Sequence, residues 1–342
     1  ENQREDDAMQ TVYYAARGAA REVLRFEDGP PPEPGAGEVQ VRVHASGINP
    51  SDVKTRAGAN GRMTAPRTVP HSDGAGVITA IGAGVPDRRI GERVWLFNVN
   101  RTADGLGQGE RGTAAEAIVV DQRLAVPLPA NASFEIGACL GVPAMTAHRA
   151  VMADGSVAGK SVLVTGGAGA VGSMAIQIAR WSGAANVIAT VSTPLKAETA
   201  LADGAHATVN YKSEPLAERI LAVNGGKRVD RIVDVDFAAH AEVAVKVLAP
   251  GGVIATYASM SNRTPALPFY PLMFNDATIR LVAVYVMGWP AKEAAASDIN
   301  QMLEAGKLRP RIAARYPLRS IVEAHETAER GDLVGKVVVA ID

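Results

Sequence analysis

The chain reads as an α/β protein of two domains, a doubly wound parallel sheet joined to a β-rich unit, on three observations. A glycine-rich turn at 166–172 stands between a short apolar strand and a helix, the arrangement that opens a nucleotide-binding βαβ unit. From 135 to 287 apolar strand-like runs alternate with helical stretches, which implies a parallel sheet covered on both faces. From 10 to 131 short β-rich runs alternate with turn residues instead. A length of 342 residues has room for both domains, at roughly 100–200 residues each.

In chain order, the polar stretch 1–8 reads as a leader outside the fold, with Met9 as the natural start. Residues 9–134 form the β-rich domain, with strands expected at 39–48, 76–84 and 92–97. The Pro/Gly cluster at 28–37 and the Gly-rich run at 101–112 are connectors, because neither composition suits a helix or a central strand. Residues 135–287 hold the βαβ units. The tail, 288–342, begins with the helical SDINQMLEAG and ends in the strand-like GKVVVAI, which is expected to rejoin the first domain.

Lys plus Arg number 35 and Asp plus Glu 36, so no general electrostatic attraction to nucleic acid or to an anionic membrane is expected. No apolar run reaches the roughly 18 residues of a spanning helix. The single cysteine, Cys139, excludes an internal disulfide framework and a Cys-rich zinc lobe. A cytoplasmic protein is expected.

The strongest chemical signal is SVLVTGGAGAVGSMAIQIAR at 161–180. Gly167, Gly169 and Gly172 have G-x-G-x-x-G spacing between strand and helix. Glycines permit the tight turn and the close approach of a pyrophosphate, and the helix N-terminus supplies free N–H groups. NAD enzymes commonly place a carboxylate at the end of the next strand. Here Ser192 and Lys196 follow that strand, Tyr211 and Lys212 follow the one after, and no acidic residue lies between Ser173 and Ala197. Hydroxyls and ammoniums suit a 2′-phosphate, so NADP(H) is the expected cofactor.

No metal site is expected. His44, His71, His148, His206, His240 and His325 show no zinc-motif spacing, and HETAE at 325–329 lacks the second histidine of H-E-x-x-H and reads as an amphipathic surface helix. Cys139 lies in the apolar GACLGV and reads as a small core residue. There is no G-x-S-x-G elbow.

These residues carry a resemblance to the zinc-independent quinone oxidoreductases, the zeta-crystallin-like branch of the medium-chain dehydrogenase/reductase superfamily. It runs from Met9 to Asp342 through ASGINPSD at 45–52, SDGAGVITAIGAGV at 72–85, GERVW at 91–95, PAMTAHRAV at 143–151, GAHATVNY at 204–211 and APGGVI at 249–254. The resemblance implies a GroES-like catalytic domain, 9–134 with 288–342, and a Rossmann domain, 135–287. Zinc-bearing relatives place a cysteine ligand where this chain has Asn49, and Gly-His-Glu where it has His71, Ser72 and Asp73. Two positions depart from the quinone reductases as well: Lys54 replaces a tyrosine, and Ala114 an aromatic residue.

Carried over residue by residue, the resemblance sets Gly167, Ala168, Gly169, Ala170, Val171 and Gly172 at the pyrophosphate, and Ser192, Lys196 and Tyr211 around the 2′-phosphate. It places Tyr257, Ala258, Ser259 and Met260 beside the nicotinamide half, with Val282, Ala283 and Val284 framing the carboxamide. Asn49, Lys54 and Tyr257 are the implied catalytic residues, and Asn49 approaches the nicotinamide ribose or the substrate. The implied reaction is hydride transfer from NADPH to quinones or other conjugated carbonyl compounds without zinc; the proton comes from water, Lys54, Tyr257 or Tyr285. The alternatives are a reductase dedicated to α,β-unsaturated acids or ketones and, from another class, an NADPH-binding structural or RNA-binding protein.

Two further expectations concern partners. The apolar 278–289 reads as an edge strand that pairs a homodimer. The segment 54–67, with Lys54, Arg56, Arg62 and Arg67 and no acid, suits an anionic group on the substrate. For the cofactor the sequence makes a direct prediction. NADPH binds more tightly than NADH by at least about 1–2 kcal/mol, the scale of a charge-assisted hydrogen bond, and Lys196→Ala narrows the gap; equal titration curves for the two cofactors would count against it.

Overall fold

A computed structural model describes residues 8–59, 63–102 and 104–341. The expected leader, 1–8, therefore lies outside the described residues except for Ala8. The chain divides into two units, one running to Val142 and resuming at Pro310, the other Pro143–Arg309. The division differs from the sequence expectation at both seams: 135–142 goes with the first unit and 288–309 with the second. Packing explains the second shift. Helix Trp289–Glu304 buries Ala295, Ile299 and Met302, and its Asp298 bonds His148 Nε2 at 2.8 Å, all inside the second unit.

The first unit opens with a hairpin of β1 (Met9–Tyr13) and β2 (Arg25–Gly29). There follow β3 (Glu38–Ile48), β4 (Asp73–Ile81), β5 (Arg93–Leu96), β6 (Ala117–Asp121) and β7 (Ala125–Pro127). β3 is the longest strand because its apolar residues alternate, burying Val39, Val41 and Val43 on one face. Between β3 and β4 runs the short helix Pro50–Arg56; Pro50 stands at its first turn, where a missing N–H costs nothing.

The second unit holds β8 (Ser161–Val164), β9 (Asn186–Val191), β10 (Ala207–Asn210), β11 (Val229–Asp234), β12 (Leu248–Thr256) and β13 (Thr278–Leu281). All pair in parallel, in the order β10-β9-β8-β11-β12-β13. That order reverses direction between β8 and β11, and a doubly wound sheet takes its ligand at the carboxyl ends beside such a switch. The strand expected over 278–289 is only four residues long. β12 ends at Thr256, and after Val282 N bonds Thr256 O at 2.8 Å the ladder has no further partner, so the chain turns at 284–286.

The chain returns to the first unit with β14 (Ile312–Pro317), helix Ile321–Arg330 and β15 (Lys336–Ala340). β15 inserts antiparallel to β3, with Val337 opposite Ile48, and the sheet runs β14-β15-β3-β4-β5-β7 with β6 also on β3. No helix among the described residues is long and apolar enough to cross a membrane.

Candidate active site

In the second unit every predicted cofactor residue lies just beyond a strand's carboxyl end. The glycine turn follows β8, and steric limits rather than composition explain its residues. Gly166 has φ +65°, a left-handed conformation. A Cβ on Gly167 would stand 2.6 Å from Ala189 Cβ of β9, and one on Gly172 2.3 Å from Gly166 O. Gly169 caps helix Ala170–Trp181, whose first N–H groups are free of intrahelical partners. A Cβ on Gly169 would meet Gly166 O at 3.3 Å, a milder conflict than at Gly167 or Gly172. The cradle fits a pyrophosphate.

Ser192 follows β9, and Lys196 lies in the first turn of helix Pro194–Ala202, where Thr193 Oγ1 accepts from Lys196 N at 3.3 Å. Tyr211 follows the neighbouring β10 and is exposed. Among the described residues Lys196 makes no ion pair. Tyr257–Met260 follow β12 and are clasped to the start of helix Phe237–Val247 after β11, with Phe237 N donating to Ala258 O at 2.9 Å and Ala238 N to Ser259 Oγ at 3.3 Å. Val282–Val284 follow β13. Burial, with the charge of Asp234 adding, pushes the Tyr257 phenol well above its ordinary range, which keeps it protonated and able to donate a hydrogen bond.

Sequence reasoning missed a residue at this edge. Asp234, buried at the end of β11, accepts from Thr165 Oγ1 at 3.0 Å, Thr256 Oγ1 at 2.9 Å and His240 Nδ1 at 2.6 Å. It ties the ends of three adjacent strands together at the switch. The signal was present: a carboxylate closing the apolar run RIVD.

The first unit places Asn49 in a buried polar cluster. Asn49 Nδ2 donates to Asp73 Oδ2 at 2.7 Å, and Asn49 N to Asp52 Oδ2 at 2.8 Å. Lys336 Nζ reaches the same Asp73 oxygen at 2.5 Å, and Val142 N bonds Asp73 Oδ1 at 2.9 Å. Asp52 also accepts from Asn100 Nδ2 at 3.3 Å. Burial, with the charge of Asp73 adding, pushes the Asp52 carboxyl up to about 6.

These residues do not fit zinc, which takes N, S and O ligands with lone pairs turned toward the metal. An amide and a hydroxyl, Asn49 and Ser72, stand where relatives have cysteine and histidine, and the Asp73 carboxylate is engaged by an ammonium. No three His, Cys, Asp or Glu side chains among the described residues could hold a metal together. Cys139 is fully buried, and burial pushes its thiol up to about 12, as suits a core residue.

The basic segment 54–67 is corrected by the structure. Arg56 is fully buried, its guanidinium bonded to Gly18 O and His325 Nδ1 and paired with Glu329. Arg67 pairs with Glu27. Arg62 lies outside the described residues. Lys54 makes no ion pair among the described residues and lines a cavity of about 540 Å³ with Pro50, Val53, Ala57, Ala328 and Glu329. Of the segment's described cations, Lys54 is left to meet a ligand.

His325, expected on a surface helix, is instead wholly buried and joins a chain of hydrogen bonds. Arg56 Nε, which can only donate, meets His325 Nδ1 at 3.3 Å; His325 Nε2 meets His71 Nε2 at 2.9 Å; His71 Nδ1 meets Ser46 Oγ at 2.7 Å. Ser46 Oγ meets Thr113 Oγ1 at 2.7 Å, and Thr113 donates to Asp73 O at 2.6 Å. One direction satisfies every link: each group accepts from the one before and donates to the one after. Both imidazoles are therefore neutral, and each is the tautomer its neighbours dictate. His71 holds φ +76° to join the chain, a left-handed backbone that costs a non-glycine residue about 1–2 kcal/mol.

Burial, with the neighbouring cation adding, lowers His325 to about 3, and burial with His325 adding takes His71 well below its ordinary value. Each histidine thus contributes stability above its unfolded value of about 6.5 that is lost as pH falls, at about 1.4 kcal/mol per pH unit. Asp52 acts oppositely, since its folded value of about 6 exceeds the ordinary 3.8, and between those limits it offsets one histidine. The expected result is a net loss of stability as pH falls from 7 to 5. Urea unfolding at pH 7, 6 and 5 measures it, and a flat profile would contradict the neutral chain.

Comparison with known proteins gives two family matches, an alcohol dehydrogenase GroES-like domain over residues 35–130 and a zinc-binding dehydrogenase domain over 170–303. The human quinone oxidoreductase (Homo sapiens) is 31% identical over 323 residues, 94% of each chain. The 2-methylene-furan-3-one reductase of Solanum lycopersicum is 30% identical over 306 residues, 88% of this chain and 71% of that one. The crystal structure of Escherichia coli quinone oxidoreductase complexed with NADPH superposes with a TM-score of 0.82 at 25% identity, covering 97% of this chain and 99% of that one.

Proposed function

The chain belongs to the zeta-crystallin-like quinone oxidoreductases of the medium-chain dehydrogenase/reductase superfamily, and we propose that it is an oxidoreductase that uses NADPH to reduce quinones or other conjugated carbonyl compounds. The observation that carries this reading is the carboxyl edge of the second sheet. A glycine cradle closes β8, and Ser192, Lys196 and Tyr211 follow the next two strands with no carboxylate at the end of β9.

When bound, NADPH supplies the hydride. The chain's own residues do the rest. Gly167–Gly172 hold the pyrophosphate on the helix N-terminus, Ser192, Lys196 and Tyr211 hold the 2′-phosphate, and Tyr257–Met260 with Val282–Val284 flank the nicotinamide half. A quinone or enone spreads the arriving charge over its own π system, so preorganised donors suffice to stabilise the product anion. The proton comes from Lys54, Tyr257, Tyr285 or a relay of water from bulk solvent. NADPH oxidation against quinones, enones and unsaturated acids tests the reading; NADPH binding without turnover on any of them would support the structural alternative.

A second reading, toward unsaturated acids, is favoured by Lys54. It is the cation that replaces a tyrosine of the quinone reductases, and it faces a cavity walled by Pro50, Val53 and Ala57. A carboxylate-bearing acceptor is expected to exceed its neutral ester in kcat/KM, and Lys54→Met to erase the difference while leaving NADPH affinity intact. Added salt lowers the acid's kcat/KM more than the ester's. An enzyme indifferent to the carboxylate returns neutral quinones to first place.

For the assembly we propose a homodimer through β13. That strand ends the sheet order, so one of its edges is unpaired, and around it Leu281 (79% exposed), Phe274 (82%), Tyr270 (66%) and Phe269 (57%) form an apolar surface. Unpaired edges with exposed apolar residues invite a partner strand. Sedimentation at micromolar concentration is expected to show a dimer that Leu281→Lys weakens; a wild-type monomer removes the proposal.

A further inference from the structure

Asp73 is fully buried, and every group bonded to its carboxylate is a donor: Lys336 Nζ, Asn49 Nδ2 and Val142 N. Two glycines make room for this arrangement. A Cβ on Gly141 would lie 2.1 Å from Asp73 Oδ1, and one on Gly47 2.7 Å from Lys336 Cε and 2.0 Å from Ala138 O. The backbone is cut back on both sides of one ion pair, and the pair meets the side chain of Asn49.

We propose that Lys336 and Asp73 are positioning residues for Asn49. The two ends of a carboxamide are nearly equal in shape, so only its hydrogen-bond partners choose between them. A carboxylate accepts and cannot donate, so it draws the NH₂ end of Asn49 inward. Were Asp73 neutral, as acid or amide, it could also donate, and only the capping contact from the Asp52 backbone N–H to the Asn49 side chain would still favour one end. The ammonium is what makes a buried carboxylate tenable here, since an isolated buried charge is costly. The other charges near it argue the same way: Asp52 of helix Pro50–Arg56 is a second carboxyl beside Asp73, and its own upward shift is eased by Lys336 and Arg101. A cluster that tolerates a second negative charge poorly depends on the cation bonded directly to its carboxylate.

The inference rests on the reading that Asn49 meets the cofactor or acceptor. Lys336→Met is expected to lower kcat about 10–100-fold, the scale of a lost orientation. Because a buried unpaired carboxylate can itself unfold the domain, the deciding variant is the double substitution Lys336→Met/Asp73→Asn, which carries no charge. Its thermal midpoint is expected to return toward the wild type while kcat stays low, because an amide at 73 no longer selects one end of Asn49. A double variant within about threefold of wild-type kcat would show that the pair serves only packing, and would overturn the proposal. Asn49→Ala with unchanged kcat and unchanged NADPH affinity would remove its premise. Failure of the reductase reading looks different: the wild type binds NADPH, by fluorescence, and turns over no acceptor, while the order of NADPH affinities across these variants still reports whether Asn49 is held by Asp73 and Lys336.

Discussion

The Asp73–Lys336 ion pair is the interaction on which the first unit depends. Asp73 opens β4 and Lys336 opens β15, so one contact at 2.5 Å joins residues 263 positions apart across β3. Taking away one partner of such a buried pair costs about 3–5 kcal/mol, because the other is left as an uncompensated charge. Nothing in the intervening strand substitutes for it: the β3 residues at this level are Ser46 and Gly47, one committed to His71 and the other kept small to let Lys336 pass. The pair therefore links two strands and the local chemistry, since the carboxylate bonded to Lys336 of β15 also accepts from Asn49.

In the second unit the controlling constraint is steric. Parallel strands all end on one edge, and the loops beyond them must accommodate a phosphate without a side chain in the way. Gly167 and Gly172 are required by neighbours 2.6 and 2.3 Å from their missing Cβ atoms, whereas Gly169 has only Gly166 O, at 3.3 Å, in its way. Asp234 supplies the complementary polar restraint, fixing the ends of β8, β11 and β12 through Thr165, Thr256 and His240. Beyond this edge, after β9 and β10, stand Ser192, Lys196 and Tyr211.

Charge in the first unit is spent mostly on structure. Arg56 and Arg67 resemble ligand-binding cations in the sequence, yet each has a carboxylate partner, and Arg56 also sets the direction of a hydrogen-bond chain through two imidazoles. A near-neutral composition hides this division, because paired and unpaired cations count alike. Lys54 differs from its neighbours only in lacking a partner among the described residues, and that distinguishes a solvated or ligand-facing charge from a structural one.

The sequence by itself determined the fold class, the nucleotide turn and the cofactor class, because each rests on local order. The strand–glycine–helix succession, the alternation that follows it and the absence of an acid after NVIATV are all properties of adjacent residues. It placed the terminal strand with the first domain but assigned 288–309 to the wrong unit, since the helix there is sorted by the partners of Ala295, Ile299 and Asp298, which lie far away in the chain. Only the tertiary structure decided that His325 is buried, that Arg56 is not a ligand-binding residue and that Asn49, Asp73 and Lys336 form one group. Those facts join residues 24 to 269 positions apart, and no spacing or periodicity records a contact made across a sheet.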